Sequence, residues 1–291
     1  MPLHSLGYLR LETTDLDSWK IFAEDFLGLM PVSQNENELR YRIDRYPARL
    51  TVTHGSENKM SAMGFEVYNS HDLEDLLSKV EAAGIKVSVG TESEAADRKV
   101  TGFAGFDDPA GNRVELFYGP ILDHRPVVLP EVTGGFVTGD MGMGHVIVTG
   151  ENGQALFDFY NGVLGFVERN TMRGQGGGTT WFLGCNPRHH TLGIASAPGP
   201  GRLLHFMFEA ATLDDVGKAI DRADKYEVPI MNTLGKHTND EMISFYVWSP
   251  ERYAVEFGLG GLRIETPEPT YEITAGAYWG HKFSPPPPSA S

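Results

Sequence analysis

A single cysteine, Cys185, stands in a chain of 291 residues, so no disulfide can form within it. Cations are scarce as well: 24 Lys and Arg against 39 Asp and Glu leave a formal charge of −15. That balance excludes nucleic acid as a partner, because a phosphate backbone demands a clustered basic face, and it speaks against an anionic membrane surface. No apolar run approaches the roughly 20 residues of a membrane-spanning helix. The opening, MPLHSLGYLRLE, has neither the basic region nor the long apolar core of a secretory signal. From these absences we expect a reducing, cytoplasmic setting, with the acidity serving solubility.

What is present is a globular composition, 41% hydrophobic and 22% charged, long enough for one large domain or two ordinary ones. It also contains an internal repeat, the first thing to seek in a chain of this length. SLGYLRLETTDLDSWKIFAEDFLGL (residues 5–29) matches GMGHVIVTGENGQALFDFYNGVLGF (142–166), with Gly7 against Gly144 and Gly28 against Gly165, each pair 137 residues apart. SHDLEDLLSKVEAAGIKVS and DPAGNRVELFYG find partners in AATLDDVGKAIDRADKYEVPI and SPERYAVEFGLG. Tyr8, Arg10 and Glu12 alternate with Leu9 and Leu11 as in a half-buried strand, whereas Trp19, Phe22, Ala23 and Phe26 recur at helical spacing. Gly28 and Gly84 sit where helices end.

These patterns predict an α+β protein of two tandem modules, each of two βαβββ units in a curled mixed sheet around a cavity. The modules should span 1–120 and 141–265, joined by a Pro- and Gly-bearing linker at 121–140. An extension at 266–291 should end in a disordered proline-rich tail, Pro285–Pro288.

Comparing the halves indicates which one holds a site. The second has His145 in GMGHVIV, His205 in LLHFMFE and Glu256 in YAVEFG. Transferred to the first half, these fall on Tyr8, on Phe65 or its neighbour Gly64, and on Glu115, so only the carboxylate survives there. Each residue alone has a plainer explanation: a histidine on an apolar strand is most often a satisfied core residue. Together, two imidazoles and a carboxylate on three strands form the facial triad of non-haem iron oxygenases, which leaves positions open for substrate and O₂. A carboxylate buried beside two imidazoles is costly without a cation.

Further polar groups surround the trio. CNPRHHTLGI carries His189 and His190, and LGKHTNDEMISFY carries His237, Asn239, Asp240 and Tyr246. Histidines beside a metal set can act as general acids or bases near neutral pH, and Tyr246 can hydrogen-bond a substrate oxygen. HTND could equally be an Asx turn, and Tyr246 could be packing within ISFYVW. Adjacent strand residues face opposite ways, so only one of His189 and His190 can face the site. We choose His190.

In their order along the chain, GMGHVIV, CNPRHHTLGI, LLHFMFE, LGKHTND with the following SFY, and VEFG resemble the type I extradiol dioxygenases of the vicinal-oxygen-chelate superfamily. That family is typified by 2,3-dihydroxybiphenyl 1,2-dioxygenase, and the likeness extends to WGHKF at 279–283. The resemblance implies a first module without metal and a second that holds Fe(II) on His145, His205 and Glu256, although Mn(II) favours similar ligands. It implies catalytic roles for His190, His237 and Tyr246. Asn239 would line the pocket, Asp240 would orient a neighbour through the His237 network, and Phe182 and Ile147 would contact the ring. The partners would be a catechol and O₂, in a homo-oligomer. The substrate it suggests is 2,3-dihydroxybiphenyl or a related bicyclic catechol. A steroid-ring catechol is the alternative, to whose dioxygenases GYLR, CNPRHH and WGHKF are also similar. The rival from another class is a binding module of the same superfamily without dioxygenase activity, which has no use for the triad, His190, His237 and Tyr246 together.

Overall fold

The structure, a computed structural model, describes residues 2–174, 177–266 and 268–287. The first half supplies strands β1 (Leu3–Thr13), β2 (Met30–Asn35), β3 (Glu38–Arg42), β4 (Leu50–His54), β5 (Lys59–Val67), β6 (Ser88–Val89), β7 (Val100–Asp107) and β8 (Arg113–Pro120). Its helices are α1 (Leu16–Lys20), α2 (Ser70–Ala82) and α3 (Glu92–Arg98). The second half supplies β9 (Val146–Gly150), β10 (Val167–Arg173), β11 (Thr179–Gly184), β12 (Leu192–Ser196), β13 (Arg202–Glu209), β14 (Ile230–His237), β15 (Ile243–Trp248) and β16 (Ala254–Leu259), with helices α4 (Gly153–Phe157) and α5 (Leu213–Lys225). Two short strands follow, β17 (Tyr271–Ile273) and β18 (Ala277–Trp279).

The strands form two mixed sheets, neither closed on itself. One runs β2-β3-β4-β1-β5-β8-β7-β6 and the other β17-β10-β11-β12-β9-β13-β16-β15-β14-β18. In each, two units meet through their first strands, β1 with β5 and β9 with β13. The repeat extends to backbone detail. The Asp15 side chain caps α1, which passes into a π turn at Ile21–Phe26; the Asn152 side chain caps α4, which passes into a π turn at Asp158–Val163. Both turns end at a left-handed glycine, Gly28 (φ 72°) and Gly165 (φ 81°), where other residues would be strained. One hydrophobic cluster runs through both halves, with Phe65 edge-on to Phe166 at 5.2 Å. Polar bonds cross the seam: Tyr160 donates to Asp108 (2.8 Å) and Arg222 to the Phe26 carbonyl (2.8 Å).

Two features depart from the expected pattern. The second unit of the first half carries the extra helix α3, which has no counterpart in the second half among the described residues. The extension is also more than a tail. β17 pairs with β10 at one edge of the larger sheet, and β18 pairs with β14 at the other, so residues 271–279 bridge both edges. Ser284 still bonds the Met231 carbonyl; Pro285–Pro287 are exposed and irregular. Pro288, the end of the run expected to be disordered, lies outside the described residues.

Strand register also corrects the alignment of the halves. Gly64 pairs with Glu115 as Met207 pairs with Glu256, and Ala62 faces Arg10 as His205 faces Ile147. The counterpart of His205 is therefore Ala62, not Phe65 or Gly64. The shared Phe-Glu pairs, Phe65-Glu66 and Phe208-Glu209, fix that register.

Candidate metal centre and pocket

The larger sheet curls around a cavity of about 190 Å³. Its polar floor comes from four strands or their ends. His145 immediately precedes β9, behind Gly144, whose φ is 150° and where a Cβ would lie 1.8 Å from the Met207 carbonyl oxygen. Only glycine lets the chain approach β13 that closely. His205 projects from β13, Glu256 from β16 and Tyr246 from β15, directly across from Glu256 in register.

His145 Nε2 lies 3.0 Å from His205 Nε2 and 3.1 Å from Glu256 Oε2, and His205 Nε2 lies 3.6 Å from the same carboxylate oxygen. The three residues each aim one donor atom into a region under 4.8 Å across. Two imidazole nitrogens and a carboxylate oxygen this close fit a shared cation: adjacent ligands of a six-coordinate ion with bonds of about 2.1 Å sit about 3 Å apart. Glu256 is 1% exposed, and its Oε1 has no hydrogen-bond partner among the described residues. That is a cost a bound cation would remove. Burial, aided by His145, pulls His205 down to about 3, which leaves it neutral and able to ligate. Burial alone would raise the Glu256 carboxyl, but His145 and His237 hold it well below the usual range.

The other expected residues gather on the same cavity. His237 Nε2 lies 2.7 Å from the Tyr246 hydroxyl and 3.4 Å from Glu256 Oε1, and its Nδ1 lies 2.8 Å from the Gly276 carbonyl. Burial opposes its charge, but the Glu256 carboxylate outweighs burial and raises His237 to about 9. His190 lines the cavity, its ring tilted against His145 at 4.1 Å and edge-on to Phe182 at 5.0 Å. Burial pushes it well below the ordinary imidazole range, with His145 adding to the effect. Asn239 lines the wall; so does Asp240, which lies 3.8 Å from His190 and makes no hydrogen bond to His237. Ile147, Phe182 and Ile273 form a separate apolar cluster lining the same cavity, with Met172 against it.

Several neighbours escaped sequence reasoning. Ile273 and Gly276 come from the bridging segment. His281, in the WGHKF motif, packs against His237 with the two rings tilted and their centroids 4.2 Å apart. His189 and His190 do not lie on a strand, so strand alternation does not apply to them, and their Nδ1 atoms face each other at 3.1 Å.

Comparison with known proteins identifies the family. The family model for the Glyoxalase/Bleomycin resistance protein/Dioxygenase superfamily matches residues 142–257, and that for Dihydroxybiphenyl dioxygenase BphC D1 matches residues 6–55. An iron-dependent extradiol dioxygenase of Rhodococcus jostii is 38% identical, with 98% of each chain covered. A 3-methylcatechol 2,3-dioxygenase of Pseudomonas putida is 39% identical, covering 98% of this chain and 100% of the relative. Among solved structures, a halotolerant catechol dioxygenase superposes with a TM-score of 0.92 at 34% identity, covering 97% of this chain and 95% of its own. The chain belongs to the type I extradiol dioxygenases of the vicinal-oxygen-chelate superfamily. It is thus an enzyme that opens a catechol ring with both atoms of O₂, which removes the reading as a binding module. No helix among the described residues is long and apolar enough to cross a membrane.

Proposed function

We propose that this chain cleaves a bicyclic catechol, 2,3-dihydroxybiphenyl first among them, using Fe(II) held by His145, His205 and Glu256. The observation that carries this reading is the convergence of three donor atoms beneath a wall of Ile147, Phe182 and Ile273. The apolar wall suits a second ring, and the donor set suits a catechol's two oxygens. The Rhodococcus relative's name supports iron, and the match to the dihydroxybiphenyl dioxygenase model supports the biaryl. When bound, the iron would bring substrate and O₂ together and acidify a catechol hydroxyl.

The chain's own residues would then do the following. Tyr246 and His237, already hydrogen-bonded to each other, would orient one catechol oxygen through the hydroxyl and imidazole they present to the cavity. His190, held neutral by burial, would take a proton onto its ring nitrogen as an O–H bond breaks and return it later in the turnover. Asp240 would hold the His190 side of the pocket, and Asn239 would complete the polar rim. Phe182 and Ile147 would pack on the ring and exclude water. Family membership supports a homo-oligomer, and the lone buried Cys185 suits a reducing cytoplasm.

The test is anaerobic loading with Fe(II), then 2,3-dihydroxybiphenyl and air, following O₂ uptake and a yellow product. One O₂ consumed per product, at a kcat/KM above that for 3-methylcatechol and for a steroid-ring catechol, is expected. A higher kcat/KM for either competitor would displace the biaryl, and failure to retain iron would remove the ligand set.

A further inference from the structure

The segment after β18 runs back along β14 as a strap. Thr233 N–H donates to the Lys282 carbonyl (3.2 Å), Lys282 N–H to the Thr233 hydroxyl (3.0 Å) and Ser284 N–H to the Met231 carbonyl (2.7 Å). Within this strap His281 faces the pair proposed above to orient the substrate. Its ring lies 4.2 Å from that of His237, tilted by 51°, and 5.6 Å from that of Tyr246, edge-on. Its Nε2 lies 3.1 Å from the Ser244 carbonyl on β15, which holds the imidazole in place. His281 is not among the residues lining the cavity, and it makes no hydrogen bond or ring contact with His145, His205 or Glu256.

The backbone makes unusual concessions to bring that ring there. His281 has a φ of 49°, in the left-handed region that few side chains adopt. Gly280 before it has a φ of 77°, and a Cβ on it would lie 2.1 Å from the Leu234 carbonyl oxygen. Gly235 on β14 is equally constrained: its Cβ would lie 2.5 Å from His281 Cδ2 and 2.6 Å from His281 N. Strain that the surroundings enforce is a pointer to function. The need at His237 is apparent. Its Nδ1 meets the Gly276 carbonyl at 2.8 Å and its Nε2 the Tyr246 hydroxyl at 2.7 Å. Hydrogen bonds tolerate some bending out of the ring plane, so these two resist tilting of the imidazole only weakly. A second ring packed against its face opposes the tilt by direct contact.

We propose that His281 is a positioning residue for turnover: packed on the face of His237, it fixes the plane of that imidazole, so that His237 and Tyr246 meet a catechol oxygen in one geometry. This rests on the reading of His237 as a group that orients the substrate. It requires no change of charge on any ring, only contact. The extension therefore serves His237 twice, with the Gly276 carbonyl at its edge and the His281 ring on its face.

Asparagine accepts the left-handed backbone of position 281 but brings no ring, whereas phenylalanine brings a ring without the Ser244 bond. Alanine at position 235 displaces His281 without removing any polar group. The experiment measures kcat, KM for 2,3-dihydroxybiphenyl, iron content and thermal midpoint in Fe(II)-loaded H281N, H281F, G235A, H237A and H281N/H237A. H281N and G235A should lose about 10- to 100-fold in kcat, the scale of a misplaced orienting group, with iron retained and KM changed less than kcat. H281F should recover most of that loss. The double variant should be no slower than H237A alone, because an orientation already absent cannot be lost again. A merely structural strap would instead slow H237A further, in step with lower iron content and thermal midpoint. That additive result, full turnover in H281N, or a loss that H281F does not recover overturns the proposal. Normal turnover in H237A would remove His237 as an orienting group, and the proposal with it. A slow H237A beside an unimpaired H281N would overturn the positioning role alone.

Discussion

The two halves bury the same carboxylate and neutralise it by different means. Strand register pairs Glu256 with Glu115, His145 with Tyr8, His205 with Ala62, His190 with Ala48 and Tyr246 with Gly105. Glu115 is 2% exposed, yet it accepts from the Tyr8 hydroxyl (2.6 Å) and from Arg98 Nε (2.7 Å), with a second guanidinium nitrogen on its other oxygen. Arg98 comes from α3, the helix the second half lacks. A buried carboxylate needs a positive partner. In the first half the chain supplies one as a guanidinium; in the second it supplies imidazoles around the centre proposed above to hold a metal ion. On that proposal, a cation built into the chain occupies in the first half the place that the second half keeps for the metal.

Breaking the second arrangement should have the largest effect. Glu256→Gln should abolish iron retention on dialysis and turnover with it, read by metal analysis and O₂ uptake. Unchanged iron would remove Glu256 from the ligand set. His190→Phe should spare iron but lower turnover roughly 10²- to 10⁴-fold, the loss expected for an acid–base group.

Breaking the first arrangement should cost stability instead. Arg98→Met strands a buried carboxylate, a loss of about 3–5 kcal/mol, whereas replacing both partners, Arg98→Met with Glu115→Leu, should return most of it. Urea unfolding would measure this, with turnover per bound iron unchanged in both variants. A large drop in turnover per iron from Arg98→Met would mean the halves are coupled rather than merely homologous.

The smallest effect concerns acid. Burial, with Arg169 nearby, depresses His189 to about 3, against an ordinary value of 6.5, so unfolding at low pH takes up a proton. A depressed histidine contributes stability fully above about 6.5, and this is lost as pH falls toward 3. Proline stands at the corresponding position of the first half, Pro47. His189→Asn should therefore flatten the fall in urea midpoint between pH 6.5 and 4 in the metal-free protein; an unaltered slope would place the acid sensitivity elsewhere.

Much of this comparison could be read from the sequence. The glycines at 7, 28, 144 and 165 bracket one strand and one helix, and those positions tolerate little else, so the repeat stayed visible there. His145 and Glu256 stood at corresponding places near fixed glycines. His205 was misaligned because it lies before the Phe-Glu pair that sets the register, in a strand with no glycine or turn to anchor it. Arg98 was invisible because it arrives on an insertion, and no periodicity announces which buried charge an inserted helix will meet. His190 lines the cavity and His189 does not, although the choice between them rested on an alternation valid for strands and applied here to a bend. The bridging role of residues 271–279 depends on pairings with β10 and β14, roughly 100 and 40 residues away in sequence, and no local pattern reports these.

That bridge has a consequence for how the cavity is closed. The three side chains proposed to hold iron lie at or before residue 256, whereas the wall carrying Ile273 and Gly276 comes from a separate segment further along. A chain cut near residue 265 would keep the full proposed ligand set but lose that wall, and the trough would lie open on that side. The same segment holds both edges of the larger sheet, so closing the cavity and tying the sheet together are one act of the chain.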